Sequence, residues 1–70
     1  MKYYNVYSFI NPYDYPTVAQ AFKTKAAAIR HFYLRRDSEV FDKVVLSIED
    51  TDKKTITTLF TYTKPKEVTQ

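Results

Sequence analysis

The sequence predicts an α+β fold: a single helix packed on a small antiparallel sheet of three or four strands, in the order β-(β)-α-β-β. Three observations carry this reading. An alanine-rich stretch from Lys25 to Arg36 runs without Gly or Pro and repeats apolar residues at helical spacing. Segments rich in Tyr, Val, Phe, Ile and Thr flank it on both sides, and such residues suit a pleated, half-buried surface. Asn, Asp and Pro gather between those segments, where the chain has to turn. One apolar helix stripe laid on one sheet face is a two-layer solution, and seventy residues are enough for one such core. Residues 1–63 are assigned to that domain and residues 64–70 to a polar tail.

Lys2 to Ile10 reads as the first strand. Alternation puts Tyr4, Val6, Ser8 and Ile10 on one face and Tyr3, Asn5, Tyr7 and Phe9 on the other. Both faces carry rings, so the strand is either covered twice or leaves aromatics exposed. Asn11 to Pro16 is a loop, because each proline pushes its predecessor away from helical angles. Two readings compete for Thr17 to Thr24. Thr17 and Gln20 have capping-box spacing, which would start a longer helix here. Alternatively Val18 to Lys23 is a strand and Thr24 is the N-cap of a helix beginning at Lys25. The second is preferred, since Phe22-Lys23-Thr24-Lys25 reads as a strand end followed by a cap.

Within the helix, Ile29, Phe32, Tyr33 and Arg36 sit at i, i+3, i+4 and i+7 and are expected to face the core. Arg35 and Arg36 complete the last turn, where cations complement the helix dipole, and Asp37-Ser38 ends it. Val40 to Glu49 and Thr55 to Thr63 are expected to form a hairpin across Asp50–Lys54. Val44, Leu46 and Ile48 alternate with Lys43, Val45 and Ser47. Simple alternation also groups Ile56, Thr58, Phe60 and Tyr62 on one face of the last strand, with a threonine-rich face turned to solvent.

Composition removes most chemistry. The chain has no cysteine, so disulfides, thiolate nucleophiles and Cys-based zinc sites are out together. It has no glycine either, which excludes phosphate-cradling loops and the strained elbow that presents a catalytic serine. His31 is the one imidazole, and Ser8, Ser38 and Ser47 lie in no nucleophile motif. The acidic group Glu49, Asp50 and Asp52 lacks the glycine and distant glutamate of a calcium loop and is read as a turn former. No enzyme activity, cofactor or metal is therefore expected. With no secretory leader and no membrane-length apolar run, a soluble cytoplasmic protein is expected.

Binding is what remains, and two surfaces are candidates. Core packing of one face uses some rings of the aromatic run Tyr3, Tyr4, Tyr7, Phe9, Tyr13 and Tyr15, and those left over form a candidate contact surface. Tyrosine is a preferred anchor at protein interfaces, so Tyr7, Tyr13, Asp14 and Tyr15 are the expected contact residues for another protein. The alternative partner is nucleic acid, held by Lys23, Arg30, Arg35 and Arg36 on a basic helix with sheet aromatics. A net charge of +3 is mild for that role. The stretch Phe22-Lys23-Thr24-Lys25-Ala26-Ala27-Ala28-Ile29 resembles, over about eight residues, the last strand and helix of arm-site DNA-binding domains of phage-type integrases. Those domains end near their helix, whereas this chain continues into a hairpin. The expected function is a small adaptor or inhibitor of a larger protein, in the manner of a phage or mobile-element accessory factor. A homodimer is a further option, because a core this small is marginally stable.

Overall fold

The computed structural model describes residues 1–11 and 14–65. Among these, four strands and one helix follow in the order β1 (Lys2–Phe9), β2 (Val18–Phe22), α1 (Lys25–Arg36), β3 (Lys43–Asp50) and β4 (Thr55–Thr63). All the pairings are antiparallel and the sheet order is β2-β1-β3-β4. The second reading of residues 18–23 is therefore the observed one. Its short strand closes a hairpin onto β1, and Thr24 follows in extended conformation (φ −120°, ψ 147°). Thr24 Oγ1 accepts the Ala27 backbone N–H at 3.3 Å, which satisfies one of the donors a helix start leaves open. At the other end the Asp37 N–H donates to the Tyr33 carbonyl at 3.0 Å.

The helix returns the chain so that β3 pairs with the free side of β1. Tyr4 then lies between Phe22 and Ile48, Val6 between Gln20 and Leu46, and Ser8 between Val18 and Val44. On this face Val6, Val44 and Leu46 meet Ala28 and Phe32 of the helix and Phe41 of the α1–β3 connection. Tyr4, Val18, Phe22, Ile29 and Tyr62 ring that core.

Three details depart from the sequence reading. The buried helix residues are Ala28 and Phe32, whereas Tyr33 is 48% exposed. A methyl at position 28 lets the helix backbone approach the sheet. That rolls the stripe away from Tyr33 and Arg36, which stack on each other at the rim, guanidinium 4.5 Å from the ring centroid. Next, β3 begins at Lys43 rather than Val40. Val40 is exposed and Phe41 turns inward as part of the core, held by the Asp42 N–H donating to the Phe9 carbonyl at 2.8 Å.

The third departure is a β-bulge. Leu46 pairs with Phe60 but Ser47 pairs with Thr58, so β4 has one extra residue and its alternation inverts there. Phe60 and Tyr62 pair with the helix-side residues Leu46 and Val44, while Ile56 and Thr58 pair with Glu49 and Ser47 on the opposite face. The four residues grouped by simple alternation are split between two faces. The β3–β4 turn needs one left-handed residue, and without glycine Lys54 supplies it at φ 54°. A side chain there costs about 1–2 kcal/mol relative to ordinary backbone. The expected polar tail lies mostly outside the described residues, which stop at Pro65.

Candidate functional site

The helix covers one face of the sheet and leaves the other open. On the open face β1 presents Tyr3, Asn5, Tyr7 and Phe9, and β3 presents Lys43, Val45, Ser47 and Glu49. Tyr7 stands between Ala19 on β2 and Val45 on β3 and is half-buried. Ala19 is too small to cover the ring, so part of Tyr7 faces solvent. Phe9 is also half-buried, with the Lys43 ammonium 5.2 Å from its ring centroid. Beneath these rings lies a polar floor. Asn5 is 7% exposed and donates through Nδ2 to Glu49 Oε1 at 3.1 Å, and Ser47 beside it is 1% exposed.

The Asn11–Pro16 loop leaves the sheet at the Phe9 end. It is tied back by the Thr17 N–H donating to the Ser8 carbonyl (2.8 Å) and the Ile10 N–H donating to Thr17 Oγ1 (3.2 Å). Asp14 is exposed, accepting from Asn11 Nδ2 at 3.2 Å while its backbone N–H bonds the Asn11 carbonyl. Tyr15 is 92% exposed, the most exposed of the large apolar side chains described. Tyr13 lies outside the described residues. Of the four expected protein-contact residues, Tyr7 thus belongs to the open face and Asp14 and Tyr15 to the loop at its end.

The four expected nucleic-acid contacts are not assembled in one stripe. Lys23 sits beyond the end of β2 and Arg30 on the exposed helix surface. Arg35 is half-buried, with its guanidinium 5.3 Å from the Phe41 ring centroid and its Nε–H donating to His31 Nε2 at 3.0 Å. Arg36 stacks on Tyr33 and pairs with Asp37 at 3.1 Å. Two of the four cations are thus engaged within the fold.

His31 is packed rather than free. Its ring lies 5.0 Å from that of Phe22, and burial, helped by the Arg35 charge, lowers its pKa below the ordinary value of 6.5. It is therefore neutral at pH 7, and the acceptor nitrogen of a neutral imidazole is the one Arg35 occupies. The acidic group is likewise employed locally. Asp50 Oδ1 accepts the Asp52 and Lys53 backbone N–H groups at 3.1 and 3.2 Å, Asp52 pairs with the N-terminal ammonium at 2.7 Å, and Glu49 holds Asn5. The Lys53 N–H above all keeps the Asp50 carboxyl below its usual range. Among the described residues no three His, Cys, Asp or Glu side chains group as metal ligands, and no helix is long and apolar enough to cross a membrane.

Two features escaped the sequence reading. An open, mostly apolar groove of about 530 Å³ runs along the helix, lined by Phe22, Ala27, Arg30, His31, Tyr33, Leu34 and Asp37. Leu34, 66% exposed, is its signal in the sequence, a leucine placed off the core stripe. The hydroxyls of Ser8 and Ser47 are buried on opposite faces of the sheet and have no hydrogen-bond partner among the described residues. Neither a family model nor a curated protein nor a solved structure matches this chain.

Proposed function

We propose that this chain is a small non-enzymatic protein-binding module, an adaptor or inhibitor of a larger protein. Its contact surface is the open sheet face together with the Asn11–Pro16 loop, using Tyr7, Asp14 and Tyr15, with Tyr13 included by its position in the loop sequence. The observation that carries this reading is Tyr15: a large ring 92% exposed, at the end of the sheet face turned away from α1, where Tyr7 and Phe9 are half-covered. Rings held this way offer contact area with little entropy to lose on binding.

Two further observations support binding to protein over the alternatives. Arg35 and Arg36 are stacked on the rings of Phe41 and Tyr33, which takes half of the basic set away from a phosphate backbone. His31, the sole imidazole, has its acceptor nitrogen occupied, and among the described residues no serine or carboxylate is hydrogen-bonded to it.

The test is a variant with Tyr7, Tyr13 and Tyr15 all changed to alanine, used as bait for affinity capture with mass spectrometry beside the unaltered chain. Loss of a captured protein, with the far-UV circular dichroism and melting transition retained, is the expected result. Unchanged capture by a folded variant would remove this surface. Recovery of nucleic acid, lost steeply as salt rises, would move the assignment to the basic helix.

A further inference from the structure

β4 closes one side of the sheet, and its outer row of backbone N–H and C=O groups is unpaired among the described residues. It runs nine residues, Thr55–Thr63, with neither a charge nor a proline. All but Tyr62 are exposed, and Ile56, Leu59 and Phe60 are 63%, 36% and 51% accessible. Edge strands are normally blunted by inward charges, prolines or shortness, because an open row of backbone groups is a template for another strand. The bulge bends β4 but leaves continuous ladders on both sides of it, residues 55–58 and 60–63.

We propose that β4 accepts an extended segment of another protein as a fifth strand, and that this segment is β-branched or aromatic in its middle and carries carboxylates at its ends. The inference rests on the protein-binding reading and assigns it a second surface, separate from the tyrosine loop. The charges choose the occupant. Lys53 and Lys54 precede the strand and Lys64 follows it; all three are exposed, and none is in an ion pair among the described residues. Pairing two copies antiparallel about Leu59 sets Lys54 opposite Lys64 of the second copy. Pairing them parallel sets each lysine beside its own equivalent. Like charges directly opposite destabilise a strand pair, and each copy already carries +3. Carboxylates in the same places turn these repulsions into attraction, while the backbone ladder supplies sequence-independent affinity.

The experiment pans a library of random linear dodecapeptides against the full chain, then maps the enriched peptides by amide hydrogen exchange. The expected peptides carry Asp or Glu on both sides of a Val-, Ile-, Thr- or Tyr-rich centre and slow exchange within Thr55–Thr63. Changing Lys53→Glu together with Lys64→Glu should weaken them about tenfold. Exchanging the peptide's flanking acids for lysines should restore binding to that variant, which a merely unfolded variant would not allow. Enriched peptides that protect only the Tyr7–Tyr15 region would overturn this inference and leave the protein-binding reading standing. A panel without any peptide on β4 overturns it as well, and the tyrosine variant then decides the broader reading by itself. Sedimentation to a dimer with β4 protected would show that the occupant is a second copy.

Discussion

At the centre of the sheet the two faces of β1 and β3 are buried almost equally, by opposite chemistry. Beneath the helix lie Val6 and Leu46, 1% and 0% exposed; one residue along on each strand, facing the other way, are Asn5 and Ser47, 7% and 1% exposed. The apolar pair is covered by a second layer that includes Phe32 and Ala28. The polar pair lies on the face away from α1, among larger residues of the sheet itself, with Tyr3 and Tyr7 flanking Asn5, and Val45 and Glu49 flanking Ser47. Low accessibility therefore marks a core on one side and the floor of an open surface on the other. Apolar burial drives folding, whereas a hydroxyl buried without a partner opposes it.

Truncation is the most direct way to break this comparison. Leu46→Ala should cost about 2–5 kcal/mol, enough to unfold much of so small a domain. Val45→Ala, adjacent but on the open face, should cost less than about 1 kcal/mol. Urea unfolding of the two variants reads the difference, and equal losses would mean that the open face is a packed core too. Next in size is Thr24→Ala, which removes the helix cap and should cost about 1 kcal/mol by the same measurement. Because only the covered face depends on the helix, hydrogen exchange should rise in α1 before it rises in β1 or β3.

The serines sharpen the contrast. Ser8 lies on the helix side and Ser47 on the open side, each with a hydroxyl that has no partner among the described residues. Ser8→Ala and Ser47→Ala should both leave stability unchanged or raise it by up to about 1 kcal/mol, since each removes an unsatisfied group. A clear loss at Ser47 would reveal a hydrogen bond made there by water. The smallest effect is at the rim of the covered face, where His31 packs on Phe22. Its folded pKa is lowered, so the unfolded chain binds the proton more readily. The contribution is complete above the ordinary value of 6.5 and is lost as pH falls from there through the folded value. Melting temperatures from pH 8 to pH 5 should drop by a component that His31→Gln abolishes.

Much of the fold was legible because it depends on local rules. The helix from Lys25 to Arg36 announced itself by alanines, a threonine cap and the absence of breakers. Simple alternation in β1 correctly put Val6 and Tyr7 on opposite faces, since that strand has no irregularity. Reading β4 by the same rule failed past Leu59, where a bulge inverted the faces. Phe41 was read as part of a strand, yet it serves as a loop anchor; nothing local distinguishes the two roles for a phenylalanine. In the candidate site, the loop position of Asp14 and Tyr15 was readable from the prolines around them. The half-burial of Tyr7 was not, because it depends on Ala19 and Val45 arriving beside it.

What the sequence determined by itself was the kind of elements, their order and a short list of excluded chemistries, because propensity, capping and the lack of Gly and Cys act within a few residues. Tertiary structure decided which rings remain outside, how two arginines spend their charge on Phe41 and Tyr33, and that an uncharged strand lies at an edge. Those outcomes depend on strand order and register. Register is set by the sum of many contacts between residues distant in sequence, and one bulge is enough to exchange the inside of a strand for its outside.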